Sequence, residues 1–183
     1  MREYDLQKLI NNPKLIEEKI KEFREKKLLF KQDVDNEEIK GHILKAEHNL
    51  RFVATIAQKK FFAWALTGCY YSCYHAALAL IQIKGYSSKN HLVTLCVIIK
   101  EFYKKELTKE DIEILSNFLD YEEVLFYVET KNKREAATYS TKTSFDKKDV
   151  EKLRIQATMF VNKIKNILVE SNVQSFEAVR NHK

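Results

Sequence analysis

The residues best suited to chemistry in this chain are few: Tyr71, Tyr74, His75, His91, Arg134 and Tyr139. A histidine moves protons near neutral pH, and an arginine stabilises charge on a phosphate, so a His and Arg pair suits cleavage of a phosphodiester. Arg134, with His91 or His75 as the proton-handling group, is the candidate catalytic set. Tyr139 follows Arg134 after four intervening residues, inside a basic segment that opens with Lys131 and includes Lys133. Tyr71, Tyr74, Lys131, Lys133 and Tyr139 are the candidate contacts to a nucleotide or RNA. Each of the two leading residues also has an ordinary reading, His91 as part of a helix start and Arg134 as an ion-pair partner of the acidic stretch before it.

Several other chemistries are excluded by what the chain lacks. Its three glycines, Gly41, Gly68 and Gly85, stand too far apart to form a phosphate-cradling loop. Cys69 and Cys73 lie one helical turn apart, but no second Cys or His pair has metal-ligand spacing, and the Glu-x-x-His pairs of di-iron bundles are missing. No metal and no cofactor is expected. An odd number of cysteines, all in apolar stretches, argues against a disulfide framework and for a reducing cytoplasm. The segment Met1 to Leu9 carries Arg2, Glu3, Asp5 and Lys8, so it does not read as a signal peptide.

The elements that must position these residues read as helices. Gly 3 and Pro 1 are too few for a turn-rich β fold, and 45% hydrophobic beside 32% charged residues describes a globular chain. At 183 residues one core is expected. Phe61 to Ile83 runs 23 residues without Lys, Arg, Asp or Glu. It is long enough to span a bilayer, yet Thr67, Gly68, Ser72, His75, Gln82 and three tyrosines interrupt it. The reading is therefore the central helix of a bundle in water, with no membrane span. Gly68, Tyr71, Ser72, His75, Ala79 and Gln82 share one small, polar face of it, suited to a close helix contact, a homodimer seam or a cleft.

Around that helix, Asn12-Pro13 opens a helix to about Leu28, and Asp35 caps another from Asn36 to about Lys59, with a break before Phe61. Gly85 stops the central helix, and Ser88 precedes the stripe Leu92, Leu95, Cys96, Ile99, Phe102 and Tyr103. Thr108 with Asp111 resembles a capping box that opens an acidic helix continuing to about Thr130. Lys131 to Phe145 reads as a loop. A last amphipathic helix carries Val150, Leu153, Ala157, Phe160, Val161, Ile164, Ile167 and Leu168 on one side. The expected organisation is an N-terminal helical arm over residues 1–34, a bundle over 35–170 and a frayed tail over 171–183.

Charge is segregated along the chain. Residues 1–40 balance, 41–100 carry +6, 101–129 carry −6 and 130–183 carry +6, for a net +6. The basic stretches favour RNA, nucleotides or an acidic partner.

The stretch CYYSCYHAALALIQIKGYSSKNH, Cys69 to His91, resembles the second-helix signature of HEPN-domain proteins. REAATYS, Arg134 to Ser140, is similar to their later Arg-x-x-Ala-x-Tyr element, and QATMFVNKIKNIL, Gln156 to Leu168, to their closing helix. The pieces occur in order over about residues 39 to 170. The resemblance implies an all-α, up-and-down bundle of four to five helices, here with an extra N-terminal helical arm. It implies a homodimer, a nucleotidyltransferase partner acting as antitoxin, and a place in a toxin-antitoxin or defence module. Many members are metal-independent ribonucleases whose motif is an arginine followed after four to six residues by a histidine. Here Arg134 is followed by Tyr139 and no histidine stands in that window, so a non-catalytic nucleotide- or RNA-binding role is the alternative. Tyr139 is by the same analogy a candidate for adenylylation.

Overall fold

A computed structural model of the chain describes residues 3–118 and 147–171. Its elements run α1 (Glu3–Asn11), α2 (Pro13–Glu25), β1 (Leu29–Lys31), α3 (Asn36–Gln58), α4 (Phe62–Gln82), β2 (Tyr86–Ser88), α5 (His91–Phe102), α6 (109–118) and α7 (Lys147–Glu170). The described residues form an all-α bundle with a two-stranded ribbon.

Local chemistry sets most helix starts. Asn12 Oδ1 accepts from the Leu15 N–H at 3.1 Å, with Pro13 in the first turn, where its missing donor costs nothing. Asp35 accepts from the N–H groups of Glu37 and Glu38 at 2.9 and 3.1 Å. The Thr108 and Asp111 box forms in both directions: the Thr108 N–H donates to Asp111 Oδ2 at 2.8 Å, and the Asp111 N–H donates to Thr108 Oγ1 at 3.3 Å. The break before the central helix is real. Lys60 takes a φ of 64° between the end of α3 and the start of α4.

α3 and α4 pack along their length in opposite directions. Gly68 lies against Val53, the Ser72 hydroxyl donates to the Ala46 carbonyl, His75 meets His42, and the Gln82 amide donates to Glu38. Positions rising along α4 thus meet positions falling along α3. The small polar face expected on the central helix is this close contact. A Cβ at Gly68 would stand 2.5 Å from Val53 Cγ2, so glycine is what lets the two backbones approach. α7 covers both helices, burying the eight residues of its expected stripe.

Sequence reasoning left α1 and the ribbon unassigned. α1 is nine residues long, too short to persist alone, and it holds through Leu6, Leu9 and Ile10 in the common core. α1 and α2 lie over α5, whose run Val93 to Ile99 is buried throughout because α4 covers its other side. β1 pairs antiparallel with β2 in the register Leu29 to Ser88, Phe30 to Ser87 and Lys31 to Tyr86. Gly85 turns the chain into β2 at φ 67°, with the Gln32 carbonyl oxygen only 2.7 Å from where a Cβ would be. β2 carries the chain back along α4, and α5 is capped by Asn90, one residue pair beyond Ser88. α5 therefore begins beside Tyr70 and ends where the Tyr86 hydroxyl meets Glu101 at 3.2 Å.

Among the described residues no helix is long and apolar enough to cross a membrane. The central helix buries Leu66, Cys69, Cys73, Ala77 and Leu80 at 0–1% exposure, while Trp64 and Tyr71 on it are 57% and 45% exposed.

Gly68→Ala should destabilise the fold by about 1–3 kcal/mol, the usual cost of forcing extra volume into a packed contact. Urea unfolding measures it, and adding Val53→Ala should recover part of the loss. An unchanged midpoint for Gly68→Ala would mean that the helices do not approach as described.

Candidate functional site

The α3–α4 register and the return of the chain through β2 bring three histidines and two tyrosines to one place. α4 supplies Tyr70, Tyr74 and His75, α3 supplies His42, and the first residue of α5 is His91. His42 Nδ1 and His75 Nδ1 are 3.0 Å apart. The rings of Tyr74 and His75 have centroids 6.4 Å apart, those of Tyr74 and His91 4.2 Å, and Tyr70 and Tyr74 stack at 6.0 Å. The Tyr70 hydroxyl closes the string with His91 Nε2 at 3.0 Å. The result is a continuous series of rings across the junction of three helices.

A contact between two Nδ1 atoms requires one imidazole to donate an N–H and the other to accept through its lone pair. The pair can hold that bond only while at least one ring is neutral. Burial pushes His75 down to about 4, with the neighbouring His42 and Lys45 adding to the effect. His42 is lowered as well, first by burial and then by Lys45, against the opposing pull of Glu38, whose Oε1 lies 3.9 Å from His42 Nε2. At neutral pH His75 is a neutral ring in a half-buried position.

Thiol chemistry has no support here. Burial pushes Cys69 and Cys96 up to about 12 and raises Cys73, so all three stay protonated and behave as small core residues. Among the described residues no group of three His, Cys, Asp or Glu side chains is arranged to hold a metal ion.

Of the residues singled out from sequence, Tyr74, His75 and His91 are gathered into this string. Tyr71 adjoins it from the solvent side. It is 45% exposed, its ring 4.7 Å from that of Tyr70. Arg134, Lys131, Lys133 and Tyr139 lie outside the described residues. His42 and Tyr70 were missed. Tyr70 is adjacent in sequence to Tyr71 and is 2% exposed, so its ring is the better fixed of the two. His42 carries no local signal, since it flanks the apolar stripe of α3, and only the pairing of α3 with α4 reveals it.

The histidine pair makes stability pH-dependent. An imidazole with a depressed folded pKa leaves the unfolded state holding more protons between its ordinary value near 6.5 and its folded value near 4. The stability present above about pH 6.5 is therefore lost as pH falls through that window. Thermal melts should show this loss, and His75→Gln should flatten it. Nitrogen-15 spectra should find His75 neutral at pH 6, and a protonated His75 there would contradict the burial argument.

No family model matches the chain. Two proteins of Methanocaldococcus jannaschii, each bearing the name "Putative toxin", are similar to it. One is 29% identical over 136 residues, covering 74% of this chain and 85% of its own length. The other is 30% identical over 146 residues, covering 79% of this chain and 98% of its own length. The aligned length exceeds that of any one helix here, so the similarity extends over most of the bundle. With that coverage of the second protein, this chain belongs to the same family as that protein.

Proposed function

We propose that the chain is a HEPN-like toxin component of a toxin-antitoxin or defence module, acting as a homodimer that is held in check by a nucleotidyltransferase partner and engages RNA. The toxin character is supported by the names of its two archaeal relatives. The HEPN-like reading is supported by the resemblance of Cys69 to His91. One observation carries that reading to a site: this same segment forms the later part of α4, the β2 return and the start of α5, and so supplies every ring of the string except His42. A segment that resembles a family and also contributes most of the cluster of titratable rings is a better guide to function than either observation alone.

A second reading is metal-independent cleavage of RNA. It is favoured by the gathering of His42, His75 and His91 around Tyr70 and Tyr74, with His42 at hydrogen-bond distance from His75 and His91 from Tyr70. Arg134 would stabilise charge on the phosphate in this scheme, which makes no use of a metal.

Co-expression with a nucleotidyltransferase encoded beside it should give a complex that survives gel filtration, with the chain itself dimeric. Failure of the two to co-purify would count against the paired-module reading. Purified protein should cut single-stranded RNA in the presence of a chelator, and Arg134→Ala and His75→Asn should each lower the rate by about a hundredfold or more. Cleavage unaffected by both substitutions would remove the ribonuclease reading.

A further inference from the structure

A second site lies at the other end of the central helix. The end of α3 and the first residues of α4 and α7 enclose a cleft of about 670 Å³, within the range of small-molecule sites. Ala54, Ala57, Phe62 and Val150 give it an apolar floor, while Lys60, Lys147 and Arg154 bring three cations to its wall. The carboxylate there is Glu151, which receives Arg154 Nε at 3.0 Å and Nη2 at 2.6 Å. That two-point contact fixes the guanidinium at the cleft and still leaves an excess of two positive charges among the lining residues. Phe62 is 13 residues from His75 along α4, about 20 Å at the rise of an α-helix, so the cleft and the ring cluster are separate places.

We propose that this cleft binds a small organic phosphate with a flat, apolar body, such as an aryl or nucleoside monophosphate. A phosphate monoester is close to a dianion at neutral pH and matches the charge excess. Lys60 and Lys147 meet its oxygens as point charges, and Arg154 offers the guanidinium donors not taken by Glu151. The flat body lies on Phe62 and the apolar floor, surface that water wets poorly. The lysine-rich face continues from this cleft along α7 through Lys148 and Lys152, which raises the local concentration of anions at its mouth.

Calorimetric titration of the full chain with AMP, phenyl phosphate and adenosine tests the assignment, with amide shifts locating the site. AMP or phenyl phosphate should bind saturably and shift residues around Phe62 and Val150, while adenosine, lacking the phosphate, should bind at least about tenfold more weakly. Lys60→Gln with Lys147→Gln should weaken binding about tenfold or more, and His75→Asn should leave it unchanged. Both lysines are exposed, so these variants should melt with the wild type. Glu151→Gln removes the opposing charge and should tighten binding several-fold, a gain that damage to the fold cannot mimic. The assignment is overturned if neither phosphate binds up to about 10 mM, if shifts map to the ring cluster, or if the lysine variants bind as the wild type. It is also overturned if an RNA oligomer uses these lysines while both small phosphates do not. Loss of partner binding or of RNA cleavage leaves this result standing, because the cleft shares no residue with that site.

Discussion

The close approach of α3 and α4 at Gly68 is the contact on which the rest of the molecule depends. A glycine at this point costs helix propensity, roughly 1 kcal/mol relative to alanine, and returns two helix backbones near enough for short polar side chains to reach across. Ser72 then finds the Ala46 carbonyl, Gln82 finds Glu38, and His75 finds His42. With a bulkier residue at position 68, Ser72 and Gln82 would be buried without these partners, which is costlier than never having been polar. The same contact fixes the register, which sets His75 against His42 of α3 and leaves Tyr70 and Tyr74 to meet His91 of α5.

The ribbon has a role out of proportion to its three residues per strand. Pairing of β1 with β2 ties the segment after α2 to the segment after α4, and it directs the chain back along the central helix before α5 begins. His91 reaches Tyr70 and Tyr74 as a consequence. The N-terminal helices serve the same end from the other side, since their cover on α5 is what makes Val93 to Ile99 an interior run. Residues remote in sequence from the ring cluster therefore hold it in place.

What could be read from the sequence was what neighbours in the chain decide. Asn12 before Pro13, Asp35 before α3, the Thr108 and Asp111 box, and the stripe of α7 are all settled within a turn or two of helix, and each stands where its residue types put it. The central helix was legible too, because a charge-free run broken by Ser, His and Gln fits the middle of a bundle better than a bilayer. α1 was not legible, being a single short amphipathic pattern whose stability comes from α2 and α5. The ribbon was not, since its strands are distant in sequence and too short for an alternation to register. Tyr74, His75 and His91 could be named as candidates, but their partner His42 could not, because a helix pairing and not a spacing joins them.

On the proposed reading the chain would act as a toxin through the histidines at the α3–α4 contact. Growth of cells in which the full chain is induced without any partner tests that claim most directly. Wild-type protein should arrest growth, whereas His42→Asn with His75→Asn, present at the same soluble level and with a cooperative melt, should let cells divide normally. Equal arrest by both proteins, or by neither, would contradict it.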